Sequence, residues 1–189
     1  MAQTPIKLIT TTELESLLQT HRSQERLLEL VHGEVVEKMP TEIHGKLAAL
    51  IAYFFLTFIR NGNIAAHVGV EVRHEASDDP YNSRIPDVSI RLTNQPPMIS
   101  GAVPMFPDLA VEIQSPQDRP HHMREKALYY LQHGSHVIWL IYPQARRVEI
   151  CSLRENHLVI RSIETGGILD AGNVLPGFSL ALDELFADI

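Results

Sequence analysis

The sequence has a single cysteine, Cys151, among its 189 residues. One cysteine can close no internal disulfide and cannot supply a cysteine-based zinc site, so a disulfide scaffold and a zinc finger are both excluded. Glycine-rich phosphate loops of the P-loop or dinucleotide-binding type are also absent, as are internal repeats. Chemistry driven by nucleotide binding therefore has no support in this sequence.

Long hydrophobic runs are missing as well. No stretch approaches the roughly 20 consecutive apolar residues that span a bilayer. The first residues, MAQTPIKLITTTELESLL, lack the basic start and apolar stretch of a secretory signal. We therefore expect a soluble, cytoplasmic protein with no membrane partner.

An excess of positive charge is also absent. The chain has 16 basic and 23 acidic residues and a formal net charge of -7, which argues against a broad basic surface for nucleic acid. A site that binds divalent cations concentrates acidic side chains, however, and phosphates need only a local basic strip. The total charge alone does not decide between these possibilities.

The composition is that of a globular protein, with 44% hydrophobic and 21% charged residues. A chain of this length can bury one sizeable core and is too short for two ordinary domains. We expect a single domain over residues 1–189, in which residues 1–26 form an N-terminal helical extension.

The first sixty residues predict a helix, a hairpin and a longer helix. Thr12 has a glutamate three residues on, which is the spacing of a capping box and starts a helix over 11–19. Residues 27–39 are typical of two short strands around a His-Gly turn. Thr41 can cap a helix to about residue 60, in which apolar residues repeat at helical spacing.

The middle of the chain predicts strands around a second helix. Valine and isoleucine are frequent over 65–75, 84–92 and 107–115, which indicates three strands. A helix over 119–132 precedes a strongly apolar strand over 135–143, suited to the interior of a sheet. The remaining elements are an antiparallel pair at 146–152 and 157–163 and a final turn at 181–186.

Two carboxylates lie in unusually apolar strand sequences. Side chains alternate along a strand, so Glu112 and Gln114 share one face in PDLAVEIQS. Asp87, in RIPDVSI, has a similar setting after a proline. A buried carboxylate is costly unless a salt bridge or a cation compensates it, and two carboxylates commonly hold a hard divalent cation. Both interpretations, structural ion pairs and a metal site, are open at this point.

The order of these motifs resembles a variant form of the PD-(D/E)xK nuclease superfamily: Pro86-Asp87, a spacer, then Glu112-Ile113-Gln114 followed by a helix and a strand. More closely, the chain from about Leu27 to Phe186 resembles the Uma family of restriction-type endonucleases. The matching segments are RLLELVHGEVVEKMP with His44, RIPDVS, PDLAVEIQSP, REKALYYLQHGSHVIWLIYP and LPGFSLALDELF. This resemblance implies an α/β fold with a restriction endonuclease-like core, in which helices flank a mixed central β-sheet.

The resemblance also implies a metal centre. Asp87 and Glu112 would hold Mg²⁺, or Mn²⁺, together with the backbone carbonyl of Ile113. The superfamily places a lysine two residues after the second acid, where this chain has Gln114. Either Gln114 replaces that lysine, or the lysine has moved to the following helix as Lys126. We favour Lys126, because family members carry a lysine in that helix.

Two further residues are candidates by the same resemblance. An upstream acid commonly completes such sites, and Glu34 fits better than Glu42 because the similar segment includes it. Glu34 could also be an ordinary strand residue paired with Lys38 or an arginine. His44 would contact phosphate or orient water.

The implied activity is hydrolysis of DNA phosphodiester bonds by metal-activated water. A homodimer is expected if both strands are cut, because one such site cleaves one strand at a time. The alternative is a degenerate member of the fold that binds nucleic acid or a protein partner without hydrolysis. The remaining histidines of polar segments are expected to be exposed and without a role: His74, His121, His122 and His133.

Overall fold

The computed structural model describes residues 8–20, 26–187 and 189. The other residues of the expected N-terminal extension lie outside this description. In chain order the elements are α1 (Thr11–Leu18), β1 (Leu27–Val31), β2 (Glu34–Lys38), α2 (Glu42–Asn61), β3 (Ala66–Val70), β4 (His74–Glu75), β5 (Ser83–Arg84), β6 (Val88–Leu92), β7 (Leu109–Ile113), α3 (Pro120–Gln132), β8 (Val137–Tyr142), β9 (Arg147–Arg154), β10 (His157–Ile163), β11 (Ile168–Ala171), β12 (Leu175–Ala181) and α4 (Leu182–Leu185).

Six strands form a central sheet in the order β10-β9-β8-β7-β6-β3. Strands β7 and β8 run parallel, and the other neighbouring pairs of this sheet are antiparallel. A parallel pair needs a crossover connection, which α3 provides between β7 and β8. The prediction of a mixed central sheet is confirmed.

Helices cover both faces of this sheet. Alternating residues of β7 divide between two cores: Val111 belongs to the core that includes α2, and Ala110 belongs to the core under α3. The prediction of helices flanking the sheet is therefore also confirmed. The alternation places Glu112 on the α3 side, among the side chains of that helix.

The helix α2 is long and apolar enough to cross a membrane by length and composition alone. One of its faces is instead part of the main core, where it packs against the central sheet. The buried apolar residues of that face are Leu47, Ala48, Ile51, Ala52, Phe55 and Ile59. This burial is that of a core helix.

A second, four-stranded sheet has the order β2-β1-β5-β4. Its first two strands form the predicted hairpin, with Leu27 opposite Lys38 and Val31 opposite Glu34. Leu14 of α1 packs against Leu28 and Leu30 of β1. This small sheet brings the hairpin close to the central sheet.

Two expectations about elements are wrong in detail, and one pair of strands was missed. The N-cap of α1 is Thr10, not Thr12, and its hydroxyl and backbone N–H pair with Glu13 in a capping box. The segment 65–75 forms two strands in different sheets rather than one strand. The antiparallel pair β11–β12 was not predicted, because its glycines and short length obscure the alternation that indicates a strand.

Candidate active site

A cleft of about 940 Å³ opens between the β1–β2 hairpin, the end of β7 and α3. Five of the predicted site residues line it, and so do several hairpin residues that were not predicted, among them one acid and one lysine that contact the predicted residues. The predicted residues are His44, Asp87, Glu112, Ile113 and Lys126, and this acid and this lysine are Glu29 and Lys38. The fold brings these groups together from two sheets and two helices.

Asp87 lies immediately before β6 and is 3% exposed. Its backbone N–H donates to the carbonyl of Val111 at 3.0 Å, which fixes it beside the end of β7. One carboxylate oxygen, Oδ2, accepts from the backbone N–H of Ile113 at 2.6 Å. The other, Oδ1, accepts from the ammonium of Lys38 at 2.8 Å. Both oxygens therefore have partners.

Glu112 occupies the penultimate position of β7 and is 5% exposed. Its Oε1 accepts from the hydroxyl of Tyr130 at 2.7 Å, and its Oε2 accepts from Lys126 at 2.9 Å. Tyr130 and Lys126 are four residues apart on α3, so they lie on the same side of that helix. The crossover helix thus supplies both partners of this buried acid.

The upstream acid in the cleft is Glu29 of β1, which is 5% exposed. Its carboxylate accepts from the backbone N–H of Ile85 at 2.6 Å and from Lys126 at 3.0 and 3.3 Å. Glu34, the residue predicted for this place, is exposed at the start of β2 and is not among the described residues that line the cleft. The structure brings Glu29, not Glu34, to the other acids.

Of the two candidates for the missing lysine, Lys126 is the one that reaches the acids. Its ammonium bridges Glu29 and Glu112. Gln114 turns away, and its amide donates to the backbone carbonyl of Asp118 at 2.9 Å. The side chain of Gln114 therefore closes the loop before α3 rather than facing Glu112.

His44 is buried and lies against the backbone of β7. Its Nε2 is 2.8 Å from the carbonyl oxygen of Ile113. A carbonyl can only accept, so Nε2 donates there, and Nδ1 accepts from the backbone N–H of Thr41 at 3.4 Å, with the Thr41 hydroxyl 2.8 Å away. His44 thereby orients the carbonyl that was predicted to be a metal ligand.

Burial and neighbouring charges act on these groups in opposite directions. Burial raises the pKa of Glu112 above its ordinary value, and Lys126 and Lys38 counteract this only in part. Burial also acts to raise the pKa of Glu29, but Lys126, Lys38 and the N–H of Ile85 outweigh it and the pKa is lowered. Burial would lower the pKa of Lys38, yet the three carboxylates raise it. The site is held together by this mutual compensation.

Three residues of this network were missed from the sequence. Glu29 lies in LLELV, an apolar strand like that of Glu112, so the same argument could have identified it. Lys38 and Tyr130 had no comparable signal, because a lysine at the end of a strand and a tyrosine in a helix are ordinary. Their roles depend on tertiary contacts.

His74 corrects the expectation that the unassigned histidines are exposed. It is 2% exposed, and burial lowers its pKa to about 4 although a hydrogen bond with the carbonyl of Met105 acts in the opposite direction. His121 and His122 are exposed, as expected, and His133 is partly buried. The ring of His74 contacts the carbonyl of Met105 and the hydroxyl of Ser89, and it does not line the cleft.

The donor atoms in the cleft suit a hard divalent cation, because carboxylate and carbonyl oxygens are the ligands that Mg²⁺ prefers. Over residues 8–20, 26–187 and 189, no group of three His, Cys, Asp or Glu side chains is arranged to hold a metal ion. Asp87, Glu112 and the Ile113 carbonyl therefore fit the two-carboxylate type of site, in which water molecules supply the remaining ligands.

The fold is that of the restriction endonuclease-like class. The chain belongs to the Uma2 family, described as "Putative restriction endonuclease", whose profile matches residues 13–183. This confirms the resemblance drawn from the motifs. A crystal structure from Anabaena variabilis, described as "a putative nuclease belonging to DUF820", is similar with a TM-score of 0.76 and 20% identity, and the similarity covers 95% of this chain and 98% of that one. No curated protein matches the sequence.

Proposed function

We propose that this protein is a metal-dependent endonuclease that hydrolyses phosphodiester bonds in DNA. The observation that carries this proposal is the convergence of Asp87, Glu112 and Lys126 on one cleft. These residues come from the segment before β6, from β7 and from α3, and the two carboxylates are buried, which is costly without a compensating charge. The family and the fold support the same reaction class.

The groups that would hold Mg²⁺ or Mn²⁺ are the carboxylates of Asp87 and Glu112 and the carbonyl of Ile113. A divalent cation bound there supplies a Lewis acid and lowers the pKa of a ligand water, which yields the attacking nucleophile. The hydrogen bond from His44 to the carbonyl of Ile113 keeps that oxygen in a fixed direction. The N–H of Ile113 does the same for Asp87.

Lys126 is the residue that we assign to positioning the nucleophile. Its ammonium lies between Glu29 and Glu112, so Glu29 acts as a tether that keeps it over the reacting position. Tyr130 occupies the second oxygen of Glu112 and limits the rotation of that carboxylate. Preorganisation of this kind contributes to catalysis because the groups need not reorder during the reaction.

A DNA substrate, a cytoplasmic location and a homodimer complete the proposal. The negative net charge implies that DNA is held by a few local contacts rather than by a wide basic surface. Lys38, Lys126 and Arg84 are the basic residues that the cleft itself provides.

The test is cleavage of supercoiled plasmid by purified protein with Mg²⁺ or Mn²⁺, with EDTA as the control for metal dependence. Asp87→Asn and Glu112→Gln should each lower the rate by at least about a hundredfold, as is typical when a group that acts on the transition state is removed. Glu29→Gln should lower it as well, and Glu34→Gln should not. The last two variants make the same chemical change inside and outside the cleft.

Loss of cleavage activity in Glu34→Gln, with the activity of Glu29→Gln unchanged, would contradict the proposed site. Failure of the wild-type protein to cleave DNA with either metal would contradict the function. In that case, absence of metal binding in calorimetry would leave a module that binds nucleic acid or a protein partner without hydrolysing it.

A further inference from the structure

Lys38 is the one basic side chain of the cleft that holds Asp87. Its ammonium donates to Oδ1 of Asp87 at 2.8 Å and to the carbonyl of Ile85 at 2.6 Å. The other oxygen of Asp87 is already engaged by the backbone N–H of Ile113. Lys38 therefore holds the oxygen of Asp87 that remains for a cation.

The charges of the buried cluster balance without a metal ion. With every group ionised, three buried carboxylates face three basic side chains, all of which line the cleft. The acids are Glu29, Asp87 and Glu112, and the bases are Lys38, Arg84 and Lys126. The other acids of the cleft lining are exposed to solvent: Glu37, Asp118 and Glu125. A divalent cation added to this neutral cluster leaves an excess of two positive charges in a poorly solvated place, which is unfavourable.

The two lysines differ in how the acids hold them. Lys126 bridges two carboxylates, whereas Lys38 contacts one carboxylate and one carbonyl. Lys38 is also next to the exposed Met39 at the end of β2. Of the two ammonium groups, Lys38 is therefore the one that breaks the smaller number of carboxylate contacts when it moves away.

We propose that Lys38 is a built-in competitor of the divalent cation: its ammonium holds Oδ1 of Asp87, and a metal ion binds that oxygen only by displacing the ammonium. This inference rests on the proposed function, because it assigns the same oxygen to the metal. It implies that the protein alone binds metal weakly, and that negative charge from the DNA phosphates favours metal binding by offsetting the displaced ammonium.

The test is calorimetric titration of Mn²⁺ into the purified protein at fixed ionic strength, without DNA. Lys38→Met removes the charge and keeps an apolar side chain of similar length. Lys38→Gln retains a hydrogen-bond donor and guards against a folding defect. Both should bind Mn²⁺ more tightly than the wild-type protein, on the order of tenfold or more, because a like charge a few ångströms from the cation is removed.

Lys46→Met is the matched control, because it removes the same charge from an exposed position on α2 outside the cleft. Its affinity for Mn²⁺ should equal that of the wild-type protein. Asp87→Asn should abolish binding in the wild-type and the Lys38→Met background. Thermal melts should show Mn²⁺ stabilising Lys38→Met more than it stabilises the wild-type protein, since Asp87 lacks its partner in that variant.

Equal affinities in the wild-type protein and both Lys38 variants would overturn this inference while leaving the metal site in place. Weaker binding in both variants would overturn it as well, because Lys38 would then support the ligand. Absence of Mn²⁺ binding in every variant would instead remove the metal-dependent function itself, and the inference with it.

Discussion

Burial of Glu112 disfavours its ionised form, which is the form that the proposed metal site needs. Its pKa is raised above the ordinary 4.5, mainly by burial. A carboxyl group with a raised pKa in the folded state contributes stability below the pKa of the unfolded state, and this contribution is lost as the pH rises through the folded value. The ionised form that a metal needs is thus the less stable form of the metal-free protein.

The variant Glu112→Gln should therefore gain stability relative to the wild-type protein as the pH rises from about 4 to 8. The measurement is the free energy of unfolding in urea at several pH values, with EDTA present. Glu34→Gln is the control, since it makes the same change on an exposed strand residue. An equal trend in both variants would contradict the assignment of the effect to burial.

At the residue scale, the sequence drew attention to charged residues whose neighbours in the sequence are unusually apolar. Asp87 and Glu112 were identified because a carboxylate is rare in an apolar strand. Lys126 was found through the resemblance to a family, and its contacts with two acids agree with that choice. Lys38 could not be predicted, because its partner lies 49 residues away and only the docking of two sheets brings them together.

At the scale of elements, the hairpin β1–β2 positions two site residues, and its turn depends on glycine. Gly33 has a φ of +82°, and a Cβ atom there would lie 2.9 Å from Cβ of Leu8. A residue with a side chain is strained in this region of φ and would also displace its neighbour. Glu29 and Lys38 stand on the two strands that this turn joins.

Gly33→Ala should destabilise the protein by about 1–2 kcal/mol, or more if Leu8 cannot move. The matched control is Gly45→Ala on α2, where a Cβ atom would meet nothing within 4 Å. Alanine at this exposed helical position should stabilise the protein by about 0.5–1 kcal/mol. Denaturant unfolding measures both changes, and a Gly33→Ala variant as stable as wild type would contradict the role given to the turn.

The elements themselves were predictable where the chain has a strong period or clear end signals. The helix α2 begins after Thr41 and the helix α3 at Pro120, both within a residue of the predicted start. The prediction of one strand over 65–75 was wrong. Glu71 has a positive φ, and the chain turns there from the central sheet toward the other sheet. No local signal in VEV distinguishes such a turn from a continuous strand.

At the scale of the whole molecule, the proposed function assigns one active cleft to each chain, which would cut one strand of duplex DNA at a time. A monomer should nick supercoiled plasmid first, so open circles should accumulate before linear product. The proposed homodimer should raise the share of linear product at protein concentrations where dimers form. Gel analysis of a time course, beside sedimentation at the same concentrations, checks this prediction, and linear product appearing first from a monomer would contradict it.

The distance along the chain between Glu29 and Lys126 is 97 residues, and these two side chains meet only in the finished fold. A ribosome releases the hairpin well before α3, so a nascent chain exposes Glu29 and Glu112 before their partners Lys126 and Tyr130 exist. The cleft cannot assemble on a fragment that stops before α3.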